Sequence, residues 1–200
     1  MGHYEVLKTV KEFCTALLTQ KLGKDLSFHN LSHTIEVVEA CKEIALESCL
    51  TPEEIDILCI AAWFHDVGYC YTYENHEFES VNIAATFLNL FKTDEAIVKL
   101  VVGCILATQI PQQPNTILEK IICDADLYHL SRTNYHQYEQ ALRKEWEVHL
   151  RLFYTDAKWN LTNYKLLTVH SYFTFYGLQV LQPGKEENIK KLRQLLPPET

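Results

Sequence analysis

The chain has 200 residues, 48% of them hydrophobic, which excludes a disordered chain and suffices for one domain that buries most of its apolar surface. Its 18 Lys and Arg stand against 26 Asp and Glu, and the formal charge of -8 opposes contact with nucleic-acid backbones or acidic membrane surfaces. The densest basic cluster, Lys185 to Arg193, is broken by Glu186 and Glu187, so neither a nucleic acid nor a membrane is expected as a partner.

From Tyr4 to Leu22 the apolar residues Val6, Leu7, Val10, Phe13, Cys14, Leu17 and Leu18 recur at three and four, the pattern of an amphipathic helix that Gly23 stops. The next helix starts near Asn30 or Ser32, both favoured caps, and carries Ile35, Val38, Cys41, Ile44 and Ala45 on one face. His29 and His33 flank that start one helical turn apart. Thr51-Pro52-Glu53-Glu54 is a strong start signal: a capping Thr, a Pro in the first turn, and Glu54 placed for a capping box. The helix it opens is almost wholly apolar from Ile55 through Phe64, and it belongs in the middle of a bundle. It runs to His65-Asp66, with Gly68 placed to end it.

Asn75-His76-Glu77 opens another helix with Val81, Ile83, Ala84, Phe87, Leu88 and Phe91 as its apolar residues, and Thr93-Asp94-Glu95 caps the one after it, to about Thr108. Ile110 to Asn115, with two prolines and two glutamines, reads as a loop too short for a domain linker. Ile117 to Leu130, Tyr135 to Phe153, Asp156 to about Tyr176, and Glu186 to Leu196 are the remaining expected helices, the last set apart by Pro183-Gly184. No alternating strand pattern of useful length and no internal repeat appear. The expectation is an all-α, compact single domain over residues 1-200, a bundle of about eight or nine helices.

The seven cysteines include no C-x-x-C pair, and their odd number favours free thiols in a reducing compartment. Residues 1-22 carry Glu5, Lys8, Lys11 and Glu12 and lack the uninterrupted apolar core of a signal peptide. No window has the length of charge-free apolar sequence that a membrane span needs. A cytoplasmic location is expected.

Four ionisable residues stand at otherwise apolar helical sites: His33, His65, Asp66 and Asp126. Each alone has a plain structural reading, such as a histidine bonded to a carbonyl or an aspartate that caps or pairs with arginine. Together, two imidazoles and two carboxylates form a mixed nitrogen and oxygen set suited to Mn, Fe, Ni, Zn or Mg.

In Phe28-His29-Asn30-Leu31-Ser32-His33, Ala62-Trp63-Phe64-His65-Asp66, Asn75-His76-Glu77 with Ser80, and Asp124-Ala125-Asp126-Leu127, the sequence resembles the HD-domain superfamily of metal-dependent phosphohydrolases. Tyr138, Arg143, Glu145 and Trp146 extend the resemblance to a subgroup of predicted bacterial HD phosphohydrolases of unassigned substrate. The resemblance implies that His33, His65, Asp66 and Asp126 ligate a divalent metal, that a dyad carboxylate (Asp66) orients the attacking water, and that Asp126 rather than Asp124 is the distant aspartate. It implies hydrolysis of a phosphomonoester or phosphodiester, a small-molecule phosphate ester or nucleotide being the partner. The alternative is a non-catalytic module of the same fold that holds a nucleotide or a protein partner.

The His29 to His33 block also resembles the H-N-x-x-H element of class I cyclic nucleotide phosphodiesterases, which implies that His29 is the general acid; His29 that only orders its loop is the other reading. The glutamine and aromatic purine clamp of those enzymes are not recognisable. His76 and Glu77 follow the dyad at a remove that suits a second metal or substrate contacts, and equally a helix cap. Arg143 and Lys144 are the nearest basic pair for a phosphate, though on a helix they also face Glu139 and Glu147.

Overall fold

The structure is a computed structural model that describes residues 3-197. Among the described residues there are nine α-helices and no strand: α1 (His3–Lys21), α2 (Leu31–Glu47), α3 (Pro52–Phe64), α4 (His76–Leu90), α5 (Glu95–Ala107), α6 (Ile117–Asp126), α7 (Tyr135–His149), α8 (Asp156–Val169) and α9 (Gln182–Gln194).

Helix α3 is the centre. Thr51 and Glu54 form the capping box that fixes its start, with Pro52 in the first turn, a device worth on the order of 1 kcal/mol. Every residue from Ile57 to Phe64 is buried, because α1, α2, α4, α5 and α6 pack around the helix on all sides. A helix without a polar face has nowhere to be but the middle of a bundle, and this placement brings the pair at its C-terminal end into the interior. Phe64 closes that end against Phe13 and Phe87, with ring centroids 6.1 and 5.6 Å away.

A second, smaller apolar cluster joins Leu130, Tyr135, Leu167 and Leu192 from the C-terminal helices. Buried polar groups there are paired: Tyr135 donates to Asn163 Oδ1 at 2.5 Å, and the Trp159 indole donates to Glu139.

Several boundaries differ from the sequence expectation. Helix α3 ends at Phe64, before Gly68; His65 is its C-cap, and Val67–Cys70 forms a 3₁₀ turn. Helix α6 ends at Asp126, and Tyr128–Ser131 is a separate 3₁₀ turn, so the apolar run to Leu130 is not one helix. Helix α7 stops at His149 rather than Phe153. The helix from Asp156 stops at Val169, where His170 is extended; Asp124 of α6 then accepts from Phe173 N and Thr174 N at 2.8 Å each, holding the strap that follows.

Pro183-Gly184 does not break the chain. Helical structure continues through a π turn, Gly177–Leu181, into α9, with Pro183 in its first turn and Gln182 N bonded to Gly177 O. The wider turn accommodates a proline whose ring would clash with the carbonyl one turn back in a regular helix. All seven cysteines are free, and no described helix is long and apolar enough to cross a membrane.

Candidate metal centre

Four residues on three chain segments converge on one point. Asn30 caps α2 by accepting from Ser32 N (2.9 Å) and His33 N (3.3 Å), which sets His33 in the first turn with its ring inward. His65 and Asp66 follow the last turn of α3, and Gly68 N donates to Ser80 Oγ of α4 at 2.9 Å, tying the turn that carries them to the next helix. Asp126 ends α6.

His33 Nε2 lies 3.2 Å from Asp126 Oδ1 and 3.5 Å from Asp66 Oδ2. His65 Nε2 lies 3.2 Å from Asp66 Oδ2 and 3.7 Å from Asp126 Oδ1. One ligand atom each from His33, His65 and Asp66 falls within 4.8 Å of the others. Atoms about 2.0 to 2.2 Å from a shared ion have such mutual spacings. Asp124, two residues before Asp126, is engaged elsewhere, its carboxylate taken up by Phe173 and Thr174.

The donor set fits a cation. His65 Nδ1 donates to the Ala62 carbonyl at 2.8 Å, so Nε2 is the nitrogen left to face the carboxylates, the arrangement by which outer hydrogen bonds orient a ligating imidazole. His65 Nε2 and Asp66 Oδ2 are both buried without a hydrogen-bond partner. Their 3.2 Å approach is an ion-pair distance without hydrogen-bond alignment. Unsatisfied buried polar atoms are costly and rare; two of them facing one space point to a missing charge between them.

The protonation pattern agrees. Burial penalises charge on His65, yet Asp66 and Asp126 raise its pKa well above the usual imidazole value. Burial likewise opposes the Asp66 and Asp126 carboxylates, and the histidines around them pull both below the usual range. A proton on His65 is favoured by the two carboxylates here, and a divalent ion would replace it on binding.

Of the other residues singled out in the sequence, His76 and Glu77 come to the site. His76 Nε2 is 3.4 Å from Asp66 Oδ1, and Glu77 Oε2 is 3.7 Å from His76 Nδ1. His29 lies at the edge: the Tyr69 ring stacks on it at 4.3 Å and on His76 at 3.8 Å, and the Tyr69 hydroxyl is 3.2 Å from His29 Nε2.

Arg143 does not come to the centre. It is bound to Asp156 at 2.8 Å, to Glu147, and to the Tyr154 carbonyl, while Lys144 is exposed. The arginine that lines the crevice beside His33 and Asp126 is Arg132, which nothing in the sequence marks because it follows the 3₁₀ turn that helix periodicity did not reveal.

Glu145 is the other residue whose place the sequence left unstated. It is fully buried on α7, and its carboxylate accepts from Phe28 N (2.5 Å), His29 N (2.8 Å), the His29 ring at Nδ1 (2.6 Å) and the Tyr73 hydroxyl (3.3 Å). An acidic residue among Arg143, Lys144 and Glu147 reads as a solvated helix face, and only its four-residue spacing from Ala141 places it on the inner one.

An all-α bundle with an inward His, a His-Asp pair and a distant Asp defines an HD-type protein. The HD domain family matches residues 30-131, half of the chain, and the chain belongs to that family. HD domains make up a superfamily of metal-dependent phosphohydrolases, and the His33, His65 and Asp66 group is able to hold a metal ion. The crystal structure of the Lin1889 protein from Listeria innocua has the same fold, with a TM-score of 0.66 over 96% of each chain at 18% sequence identity. No curated protein matches the chain.

Proposed function

We propose that this chain is a metal-dependent phosphohydrolase in which His33, His65, Asp66 and Asp126 hold a divalent ion (Mn, Fe, Ni, Zn or Mg) and a small-molecule phosphate monoester or diester, a nucleotide among the candidates, is cleaved by water. The observation that carries the reading is the pair of buried, partnerless atoms, His65 Nε2 and Asp66 Oδ2, aimed into one space. A divalent ion there would polarise a phosphoryl oxygen and lower the pKa of the attacking water.

The remaining roles follow from the chain itself. The side chains of His29, His76 and Asp126 keep 16, 15 and 17% exposure against 5% for His33 and 1% for His65, so the phosphate reaches the centre from their side. His29 Nε2 faces that opening and delivers a proton to the leaving oxygen. His76 holds the second oxygen of Asp66, which fixes the carboxylate that orients water, and Glu77 braces His76. The 200 residues work as one unit, because α7, outside the family-matched segment, closes on the same site.

Loading the purified protein with each metal in turn and measuring metal content beside hydrolysis of a nucleotide and phosphoester panel tests the reading. Wild type retains metal and releases phosphate, and Asp66→Ala does neither. Wild type that holds no metal after loading with Mn and Fe refutes the reading. A module that binds nucleotides without hydrolysis is the second reading, favoured by the engagement of Arg143 with Asp156 and Tyr154; tight nucleotide binding with no metal-dependent product would establish it.

A further inference from the structure

The buried Glu145 carboxylate has four donors on its two oxygens: both backbone amides on Oε1, and the His29 ring and Tyr73 hydroxyl on Oε2. An ionised carboxylate offers about four lone-pair directions and no donor, so this surrounding uses all that it has. No Lys or Arg shares it in any of those contacts. A buried acid whose donors are two backbone amides, a hydroxyl and one imidazole, with no Lys or Arg, serves what it holds.

What it holds is the segment before α2 and one nitrogen of one ring. Because the carboxylate only accepts, the hydrogen between it and His29 sits on Nδ1. That leaves Nε2 of His29 as the nitrogen without a committed hydrogen, and the Tyr69 hydroxyl 3.2 Å away donates to it in the resting state. Tyr69 is itself fixed by stacking between the His29 and His76 rings. Tyr73, the other hydroxyl on Glu145, stacks on His149 of α7 at 4.4 Å with the rings parallel to within 1°.

We infer that Glu145 is a positioning residue which fixes the hydrogen of neutral His29 on Nδ1, so that Nε2 is the atom that takes up a proton from solvent, gives an imidazolium backed by the Glu145 carboxylate, and passes that proton to the leaving oxygen, with Tyr69 holding Nε2 until substrate arrives. The inference deepens the phosphohydrolase reading and rests on it for the role of His29. Neither His29 nor Glu145 lies within the family-matched residues 30-131; one precedes that segment and the other follows it, and α7 brings them together over a centre built wholly inside it.

Glu145→Gln is the informative variant. A glutamine keeps the shape and one acceptor oxygen, which can stay on the two backbone amides, but it turns an NH₂ toward Nδ1. The ring then accepts at Nδ1 and carries its hydrogen on Nε2. Side-chain ¹⁵N shifts of His29, assigned by comparison with His29→Ala in the Mg- or Zn-loaded full chain, read the tautomer without any turnover. The expected result is Nδ1-H in wild type and in Glu145→Asp, and Nε2-H in Glu145→Gln.

Metal content stays at the wild-type value in both variants. Hydrolysis of an alkyl phosphate falls on the order of 100-fold in Glu145→Gln, with kcat rather than KM affected, while p-nitrophenyl phosphate, whose leaving group needs little protonation, is affected far less. Nε2-H in wild type, or the same tautomer in wild type and Glu145→Gln, overturns the inference, as does equal loss on both leaving groups. If the metal-loaded wild type hydrolyses neither ester, the phosphohydrolase reading fails, and the tautomer measurement still decides whether Glu145 sets the ring.

Discussion

Two aspartates two residues apart in α6 are assigned opposite tasks, and alanine at each separates them. Asp124 is 0% exposed and accepts from Phe173 N at 2.8 Å, Thr174 N at 2.8 Å and Thr174 Oγ1 at 2.7 Å. Asp124→Ala leaves two backbone amides and a hydroxyl without their acceptor in the interior. Unsatisfied buried donors cost about 1 to 3 kcal/mol each. Relief of a buried charge offsets part of that, since burial pushes the Asp124 pKa up despite the three donors.

A net loss of about 3 kcal/mol is therefore expected, which lowers Tm by roughly 6 to 12 °C for a chain of this length. Asp126→Ala removes a partly exposed carboxylate whose contacts are His33 at 3.2 Å and His65 at 3.7 Å; about 1 kcal/mol is expected in the metal-free protein. The order reverses on adding metal. A ligand present at 100 times its Kd stabilises the folded state by about 2.7 kcal/mol, so wild type and Asp124→Ala gain a metal-dependent rise in Tm and Asp126→Ala gains none. Thermal denaturation of wild type and both variants with and without metal, at one protein concentration, gives all six values. A metal increment kept by Asp126→Ala and lost by Asp124→Ala would show that the wrong aspartate has been placed in the centre.

Three further outcomes follow from the geometry. His29→Ala retains metal and loses about 100- to 10,000-fold in rate on esters with poor leaving groups, whereas loss of metal in that variant, measured by elemental analysis, would make His29 a ligand. Gly68→Ala would drive its new Cβ into the His76 carbonyl and within 2.9 Å of Ser80 Oγ; backbone cannot yield as a flexible side chain can, so destabilisation of about 1 to 3 kcal/mol is expected together with weaker metal binding, read by urea titration and metal analysis. His170 is pushed down to about 4, by burial first and then by Lys185, whose Nζ is 3.3 Å from Nδ1. Its folded pKa is below that of the unfolded chain, about 6.5, so the stability it contributes is complete above pH 6.5 and is lost as pH falls toward 4. His170→Gln should flatten the dependence of the urea midpoint on pH in that window, and an unchanged slope would contradict it.

The core was legible where one signal had one physical cause. Thr51-Pro52-Glu53-Glu54 could only open a helix, and the apolar run behind it could only be buried, so the centre of the bundle and the approach of His65-Asp66 to it were readable before any coordinates. The helix through Asp126 and the two that follow it were read too long. Periodicity cannot distinguish an α-helix from a 3₁₀ turn of the same apolar content at Tyr128–Ser131, nor foresee that Asp124 would reach across 49 residues to hold Phe173. Pro183 looked like a stop because the π turn that tolerates it has no sequence signature.

The candidate centre divides along the same line. His33, His65, Asp66 and Asp126 could be picked out because ionisable side chains are conspicuous among apolar neighbours, and their convergence is a consequence of α2, α3 and α6 sharing one core. Glu145 entered only with the resemblance that Tyr138, Arg143 and Trp146 share, and its burial could not be read, because beside Arg143, Lys144 and Glu147 an extra carboxylate carries no contrast. Its burial depends on how α7 lies over residues 27-30, and that placement is tertiary. The same physics says what Glu145 is for. A carboxylate out of water is tolerated only where its lone pairs are all taken, and here a loop and one imidazole take them. Moving that cost to a residue outside the candidate centre leaves the four proposed ligands free of it, with His65 Nε2 and Asp66 Oδ2 still partnerless, as the proposed ion requires.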